Sequence, residues 1–304
     1  MIMKKMLFVF NPHAGRGFIR PKIFGIIDDF TKEGYMVTAY PTQRPLDASR
    51  VVLDADGRYD IIVCSGGDGT LNEVISACRL HRVSRPVIGY IPAGTTNDFA
   101  GSLGIPKSTS KAVKMIKEGH IQTCDVGLMN SRTFTYVAAF GMFTEIAYST
   151  PQSLKNLMGH QAYVVEGVKN FYQSRSYEMK VTIDGCTYEG DFIYGMVSNS
   201  KSIGGFKGIT GDDVVLNDGL MEIILVREPM TGSDMQQIIT GLFAKDHLSS
   251  GNDMVIRLRS NHAVFQSDEP VSWTLDGENG DDHQYVEIDV VKEAISIITP
   301  SPGK

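Results

Sequence analysis

The stretch Tyr59-Asp60-Ile61-Ile62-Val63-Cys64-Ser65-Gly66-Gly67-Asp68-Gly69-Thr70-Leu71-Asn72-Glu73 decides the fold. An apolar run of strand character gives way to three glycines and a carboxylate and then to helix-forming residues, so a strand hands over to a helix across a glycine turn. Glycines let backbone N–H groups approach an anion without side-chain interference, and a helix starting near Thr70 would aim its partially positive end at the same point. The turn therefore reads as a seat for phosphate. Thr70 and Glu73 have capping-box spacing, which accounts for both without a ligand. Asp68 needs another explanation: a carboxylate at a helix N-terminus competes with phosphate unless a divalent cation neutralises both, which favours a Mg²⁺-bridging role.

The same alternation fills the first hundred or so residues. Apolar runs at 6–10, 36–40, 61–64 and 87–91 read as strands, and 18–32, 46–55 and 71–80 read as helices. Such alternation implies a Rossmann-like α/β domain with a parallel sheet, whose ligands sit beyond the carboxyl ends of the strands. Loops 11–17, 41–44 and 65–70 meet that criterion. A further loop, Pro92-Ala93-Gly94-Thr95-Thr96-Asn97-Asp98-Phe99-Ala100, is dense in hydroxyl, amide and carboxylate groups. Alone it suits phosphate recognition or an N-cap cluster equally well; with 66–73 it becomes specific, because the two loops should meet at one edge of the sheet.

After about residue 127 the cadence changes. Strands at 133–140, 178–183, 191–198, 220–226, 254–258, 263–267, 271–275 and 285–291 are separated by polar turns such as Asp184-Gly185 and Asn217-Asp218-Gly219. They imply an antiparallel β-sandwich or related β domain, interrupted by helices at 154–172 and 231–243. The expected division is 1–127 as a nucleotide-binding α/β catalytic domain, 128–292 as a β-sandwich domain, and 293–304 packing back on the first.

Composition narrows the functional classes. At 304 residues two domains are expected, and a formal net charge of −6 argues against general nucleic-acid binding. Lys4, Lys5, Arg16, Arg20 and Lys22 form a local basic cluster, either a membrane- or phosphate-facing rim or a solvated face. Cys64, Cys78, Cys124 and Cys186 contain no C-x-x-C pair and read as buried thiols of a reducing compartment. The apolar run at 7–10 is too short for a signal peptide, and no stretch approaches a membrane span, so a cytoplasmic protein is expected, with peripheral attachment at the inner membrane surface open. No Walker A sequence is present. Loop 11–17 imitates a dinucleotide fingerprint only in part, since Arg20 stands where its third glycine would be. His13 in that turn reads as structural more readily than as a catalytic base.

Asn11-Pro12 with Gly15, the Gly66-to-Glu73 block, Gly94-Thr95-Thr96-Asn97-Asp98-Phe99, Leu216-Asn217-Asp218-Gly219 and Leu275-Asp276-Gly277-Glu278 occur in order through nearly the whole chain. In these blocks the sequence resembles the diacylglycerol kinase catalytic family, especially its soluble bacterial members. G-G-D-G alone would also admit NAD kinases and sphingosine kinases. The resemblance implies that Asn11, Pro12, His13, Ala14, Gly15, Arg16, Thr42, Gly66, Gly67, Asp68, Gly69, Thr70, Leu71, Asn72, Glu73, Thr95 and Asp98 contact ATP, with Asp68 reaching catalytic Mg²⁺ through water. It implies that Asp276, with Glu278 beside it, forms the general-base motif, either carboxylate serving as the base, although unaided Asp276-Gly277 reads as a hairpin turn. It further implies a structural Mg²⁺ held by Asp218 and the carbonyls of Val215 and Leu220, with Asp212 and Asp213 as acidic neighbours.

The implied reaction moves the γ-phosphoryl of Mg·ATP to the hydroxyl of diacylglycerol, or a related lipid, presented at a membrane surface. Asp68 and Asp276, from the two halves, would have to serve that one transfer. Phe140, Met142, Phe143 and Phe206 are candidates for an acyl pocket, though burial in a core explains such residues better. Three departures from the family pattern stand out: Arg16 where lysine is common, His13-Ala14 in place of a more hydroxylated loop, and the acidic run Asn279-Gly280-Asp281-Asp282, which favours a neutral acceptor. The rivals are a kinase acting on another lipid alcohol, a sphingoid base or NAD, and a catalytically silent nucleotide-binding protein. A homodimer is compatible with such an enzyme, but no pattern demands it.

Overall fold

The computed structural model describes residues 3–81, 83, 85–141, 175–203, 206–207, 210–211, 213–243 and 252–301. The chain divides into two compact units, one comprising Met1–Val126, Leu216–Gly219 and Val291–Lys304, the other Gly127–Val215 and Leu220–Val290.

The first unit is built on β1 (Lys4–Phe10), β2 (Tyr35–Pro41), β3 (Ile61–Gly66) and β4 (Val87–Pro92), all paired in parallel in the order β4-β3-β1-β2. β3 is buried along its whole length and β1 from Met6 onward, which is why these strands read as unbroken apolar runs with both faces covered. Five helices accompany them: α1 (Ile23–Lys32), α2 (Asp47–Leu53), α3 (Asp68–Arg79), α4 (Asp98–Ser102) and α5 (Thr109–Glu118). In α3 the core face is Leu71, Val74, Ile75 and Cys78, the i, i+3, i+4, i+7 spacing of a one-sided helix.

The helix expected over 18–32 begins only at Ile23. Before it lie two 3-10 turns, Ala14–Gly17 and Arg20–Lys22, with Pro21 inside the second, where a missing N–H and a restricted preceding residue oppose a continuous α-helix.

β5 (His120–Met129) leads into the second unit and pairs antiparallel with β6 (Arg132–Phe134). There follow β7 (Val137–Gly141), β8 (Tyr177–Ile183), β9 (Cys186–Ser198), the short pair β10 (Ser202–Ile203) and β11 (Phe206–Lys207), β12 (Met221–Arg227), α6 (Gly232–Phe243), β13 (Val255–Ser260), β14 (His262–Leu275) and β15 (Glu278–Thr299). The strand order β13-β12-β9-β7-β14-β15, with β8 against both β9 and β14, is antiparallel throughout. The chain's sheet is thus mixed, and most of its pairs are antiparallel.

One pair of expected strands is a single strand, and another expected strand runs on into the C-terminal segment. Segments 263–267 and 271–275 both belong to β14, whose register against β15 shifts between Gln266 and Val271; Pro270, lacking an N–H for the ladder, lies at that irregularity. Segments 285–291 and 295–298 both belong to β15, whose last part pairs in parallel with β4 through Ser296↔Val87 and Ile297↔Ile88. Phe140, Phe265 and Trp273 stack at 5.0–6.2 Å between ring centroids in the core of the second unit. Phe140 is therefore a core residue rather than an acyl-pocket wall. The helix expected at 154–172, Met142, Phe143, Asp212 and the side chains of Arg16 and Phe206 lie outside the described residues.

Candidate active site

Three loops leave the carboxyl ends of β1, β3 and β4 and touch through bare main chain. The N–H groups of Ala93 and Gly94 both donate to Gly66 O (2.8 and 3.1 Å), and Asn11 N–H donates to Ser65 O (2.8 Å). A Cβ on Gly94 would lie 2.5 Å from Gly67 Cα, and one on Gly15, where φ is +54°, would lie 2.2 Å from Ala93 O. No side chain larger than hydrogen fits either position. Gly67 is the extended residue before α3, which starts at Asp68 rather than near Thr70.

Asn97 and Tyr90 stitch these loops together. Asn97, in the left-handed region at φ 55°, accepts at Oδ1 from Gly94 N–H (3.0 Å) and donates through Nδ2 to Gly94 O (2.8 Å). Tyr90 Oη lies 3.0 Å from Gly66 O and 3.1 Å from Asn97 Oδ1, able to donate to one at a time. Asp98 is buried, and its N–H donates to Asp68 Oδ2 (3.3 Å), so two carboxylate residues sit side by side at the starts of α3 and α4. Thr95 is exposed. Thr42 is buried at the end of β2, its N–H donating to Phe10 O (2.9 Å). Ser65 Oγ is buried beside the turn without a hydrogen-bond partner.

Other residues of the expected ATP set serve the loops themselves. His13 N–H donates to Asn11 Oδ1 (2.9 Å), and Arg20 donates to Pro12 O (2.9 Å) with its Nη2 at 3.2 Å from His13 Nδ1, which makes His13 part of the loop's bracing. Ala14 opens the first 3-10 turn. Leu71 is fully buried in the core, Thr70 packs on Gly66, and Asn72 accepts from Ser76 Oγ (3.3 Å). The capping box does not form, since α3 has no side-chain cap. Instead Glu73 accepts the N–H groups of Leu46 (2.9 Å) and Ala48 (3.1 Å) at the start of α2.

The Asn217-Asp218-Gly219 turn is held from β5. Asp125, fully buried, accepts Gly219 N–H at Oδ2 (2.7 Å) and Glu293 N–H at Oδ1 (2.6 Å), while its own N–H donates to Leu216 O (2.8 Å). Burial pushes its carboxyl up, the nearby Asp218 charge adds to this, and the two N–H donors and Lys292 oppose it. The sequence reading passed over Asp125; its one signal is a carboxylate inside the apolar run Cys124-Asp125-Val126. Asp218 and Leu220 are half-buried, and Val215 and Asp213 are exposed.

Asp276 and Gly277, at φ 51° and 82°, form a two-residue link between β14 and β15, the left-handed pair that suits a tight hairpin. Asp276 is also more than a turn residue. Its Oδ2 accepts Thr135 N–H and Thr135 Oγ1–H (both 2.7 Å), and its Oδ1 accepts the N–H groups of Tyr136 (2.9 Å) and Val137 (3.1 Å). Burial holds its carboxyl above the ordinary value, against these four donors. Glu278 is exposed at the first position of β15, opposite Leu275.

In the first unit a strand, a glycine turn and the head of a helix are pressed against a second glycine loop, and an antiparallel β unit follows in the chain. Residues 5–129 match the diacylglycerol kinase catalytic domain, and 139–299 match the YegS C-terminal NAD kinase beta sandwich-like domain. The chain belongs to the diacylglycerol kinase family. It is 30% identical over 280 residues to the diacylglycerol kinase of Bacillus subtilis, covering 91% of each chain. To that of Staphylococcus carnosus it is 32% identical, covering 91% of this chain and 89% of the relative. Its fold matches the crystal structure of a diacylglycerol kinase from Bacillus anthracis with a TM-score of 0.76 at 22% identity, covering 98% of each. Among the described residues no helix is long and apolar enough to cross a membrane.

Proposed function

We propose that this chain transfers the γ-phosphoryl group of Mg·ATP to the free hydroxyl of diacylglycerol at a membrane surface, giving phosphatidic acid and ADP. The main support is the bare-backbone cradle of Gly15, Gly67 and Gly94, with Asp68 at the head of α3. The first unit acts as a Rossmann-like nucleotide domain and the second as a β-sandwich that serves the lipid. Phosphate oxygens lie against the main chain of Gly66 to Gly69, where helix α3 contributes partial positive charge, and Asn11, Thr42 and Thr95 border the nucleotide.

Asp68 with Asp98 beside it offers the oxygen donors a hard divalent cation prefers, and such an ion, when bound, neutralises charge on the transferring phosphoryl. Asp218, with the carbonyls of Val215 and Leu220, suits a second, structural ion. The acceptor oxygen forms a new bond to the γ-phosphorus as the bond to the β–γ bridging oxygen breaks. ADP leaves with the bonding pair, and the hydroxyl proton passes to a carboxylate of the Asp276 and Glu278 pair. Asp276 is buried with each oxygen already accepting two hydrogen bonds and Glu278 is exposed beside it, so replacing each in turn by its amide tells which of the two takes the proton.

The test is incubation with Mg·ATP and mixed micelles of diacylglycerol, other lipid alcohols and a sphingoid base, with NAD in parallel and products identified by mass. Phosphatidic acid should dominate and should disappear in Asp68→Ala. Phosphorylation of NAD alone, or nucleotide binding without transfer to any acceptor, would overturn the assignment.

A further inference from the structure

We propose that Glu73 is a positioning residue for the nucleotide, acting as the helix cap that α2 lacks. Leu46, the residue before α2, carries no capping side chain, is 70% exposed and sits in the left-handed region at φ 64°, a conformation unfavourable for a leucine. Its N–H and that of Ala48 both go to Glu73, one to each carboxylate oxygen. Ala48 is the second helical position, the amide that a local N-cap side chain would ordinarily satisfy. A carboxylate there also meets the positive end of the α2 dipole.

The chain between β2 and α2 is pinned a second time. Asp47, buried, accepts Gln43 N–H at 3.0 Å and pairs with Arg50 at 2.8 Å and with Tyr40 Oη. The segment directly after Thr42 is therefore held by Asp47 at Gln43 and by Glu73 of α3 at Leu46 and Ala48. Because Glu73 lies five residues beyond Asp68 on the same helix, one rigid element carries both Asp68 and the cap that sets the Thr42 loop. Both carboxylate oxygens of Glu73 are engaged by amides, so its part is to hold the walls of the site rather than to touch phosphate. This role rests on the nucleotide lying against these loops.

The experiment compares the parent chain with Glu73→Gln, Glu73→Asp and the double variant Glu73→Gln with Leu46→Asn. Glutamine keeps one acceptor but sets an NH₂ against the other amide. Asparagine at position 46 relieves the left-handed strain and gives α2 a cap of its own. In Glu73→Gln the KM for Mg·ATP should rise about tenfold, with kcat within about twofold and the lipid KM unchanged. The double variant should recover most of the loss, and Glu73→Asp should fall between. A merely structural role would not move the KM for ATP selectively, and rescue from position 46 ties that change to the lost capping. An unchanged KM for ATP, equal damage to all constants, or no rescue would each overturn the proposal. Calorimetric titration of the parent with Mg·ATP separates the failures: absent binding overturns the nucleotide assignment itself, whereas normal binding with an indifferent Glu73→Gln overturns only the role of Glu73.

Discussion

Gly94→Ala measures how tightly the loops meet. The added methyl would lie 2.5 Å from Gly67 Cα and 2.8 Å from Asn97 Oδ1, whereas carbon atoms rest about 3.5 Å apart. About 1 Å of separation must therefore be opened. Gly94 cannot retreat freely, because its N–H bonds to Gly66 O and Asn97 Oδ1 and its carbonyl accepts from Asn97. Overpacking costs about 1–3 kcal/mol and a broken hydrogen bond about 1 kcal/mol, so a loss of about 2–4 kcal/mol is expected. The kinetic effect should be larger, since a 1 Å misplacement near reacting groups costs on the order of a hundredfold in kcat/KM. Urea unfolding should show a lower midpoint at unchanged slope. Gly101→Ala, in α4 with nothing within 4 Å of the new methyl, serves as the control and should be neutral or stabilising by up to about 1 kcal/mol. If Gly94→Ala matches the parent in midpoint and kcat/KM, the glycine loops are not in the close contact from which the cradle is argued.

Asp276→Asn should lower kcat at least about a hundredfold, with little change in the KM for ATP; a fall in ATP affinity alone would exclude the base role. Because the folded carboxyl of Asp276 is raised above its ordinary 3.8, its contribution to stability is full below the unfolded value and declines as pH rises through the folded value. The base must be ionised to act, so the acid limb of the kcat/KM profile should lie above 3.8; a limb at or below that value would contradict it. Asp218→Ala should lower the Tm and abolish any Mg²⁺-dependent melting shift seen in the parent, and retention of that shift would count against the structural ion. Burial pushes the thiols of Cys78 and Cys124 up to about 12 and that of Cys64 higher still, whereas Cys186 is exposed. Native alkylation counted by mass should therefore modify Cys186 alone, and fast reaction at a second cysteine would refute that burial.

The phosphate turn was legible because its signals are local: a buried strand, glycines that let main chains touch, and a helix with a one-sided apolar face. Glu73 was misread for the opposite reason. Capping-box spacing points to the helix's own N-terminus, while the partner that won is an amide pair 25–27 residues away. Asp125 carries only the faint signal of a carboxylate in an apolar run, because its donors lie 94 and 168 residues further along the chain. At Asp276 the sequence offered a turn and the resemblance offered a base. Neither announced the main-chain N–H groups of residues 135–137, since backbone donors leave no mark in side-chain identity. The merging of short apolar runs into β14 and β15 had the same origin, with exposed residues continuing a ladder that periodicity suggested had ended.

The bond from Glu293 to Asp125 has a consequence for how the protein is made. Of the first unit, residues up to 126 leave the ribosome first, with β4 still missing its later neighbour at Ser296 and Ile297. The Asp125 carboxylate must wait for an amide 168 residues downstream, roughly ten to thirty seconds at ordinary translation rates. Throughout that interval a sheet edge is open to other nascent chains. A truncated gene ending near residue 126 would make that exposure permanent, so such a fragment should aggregate unless the final strand is supplied as a separate peptide.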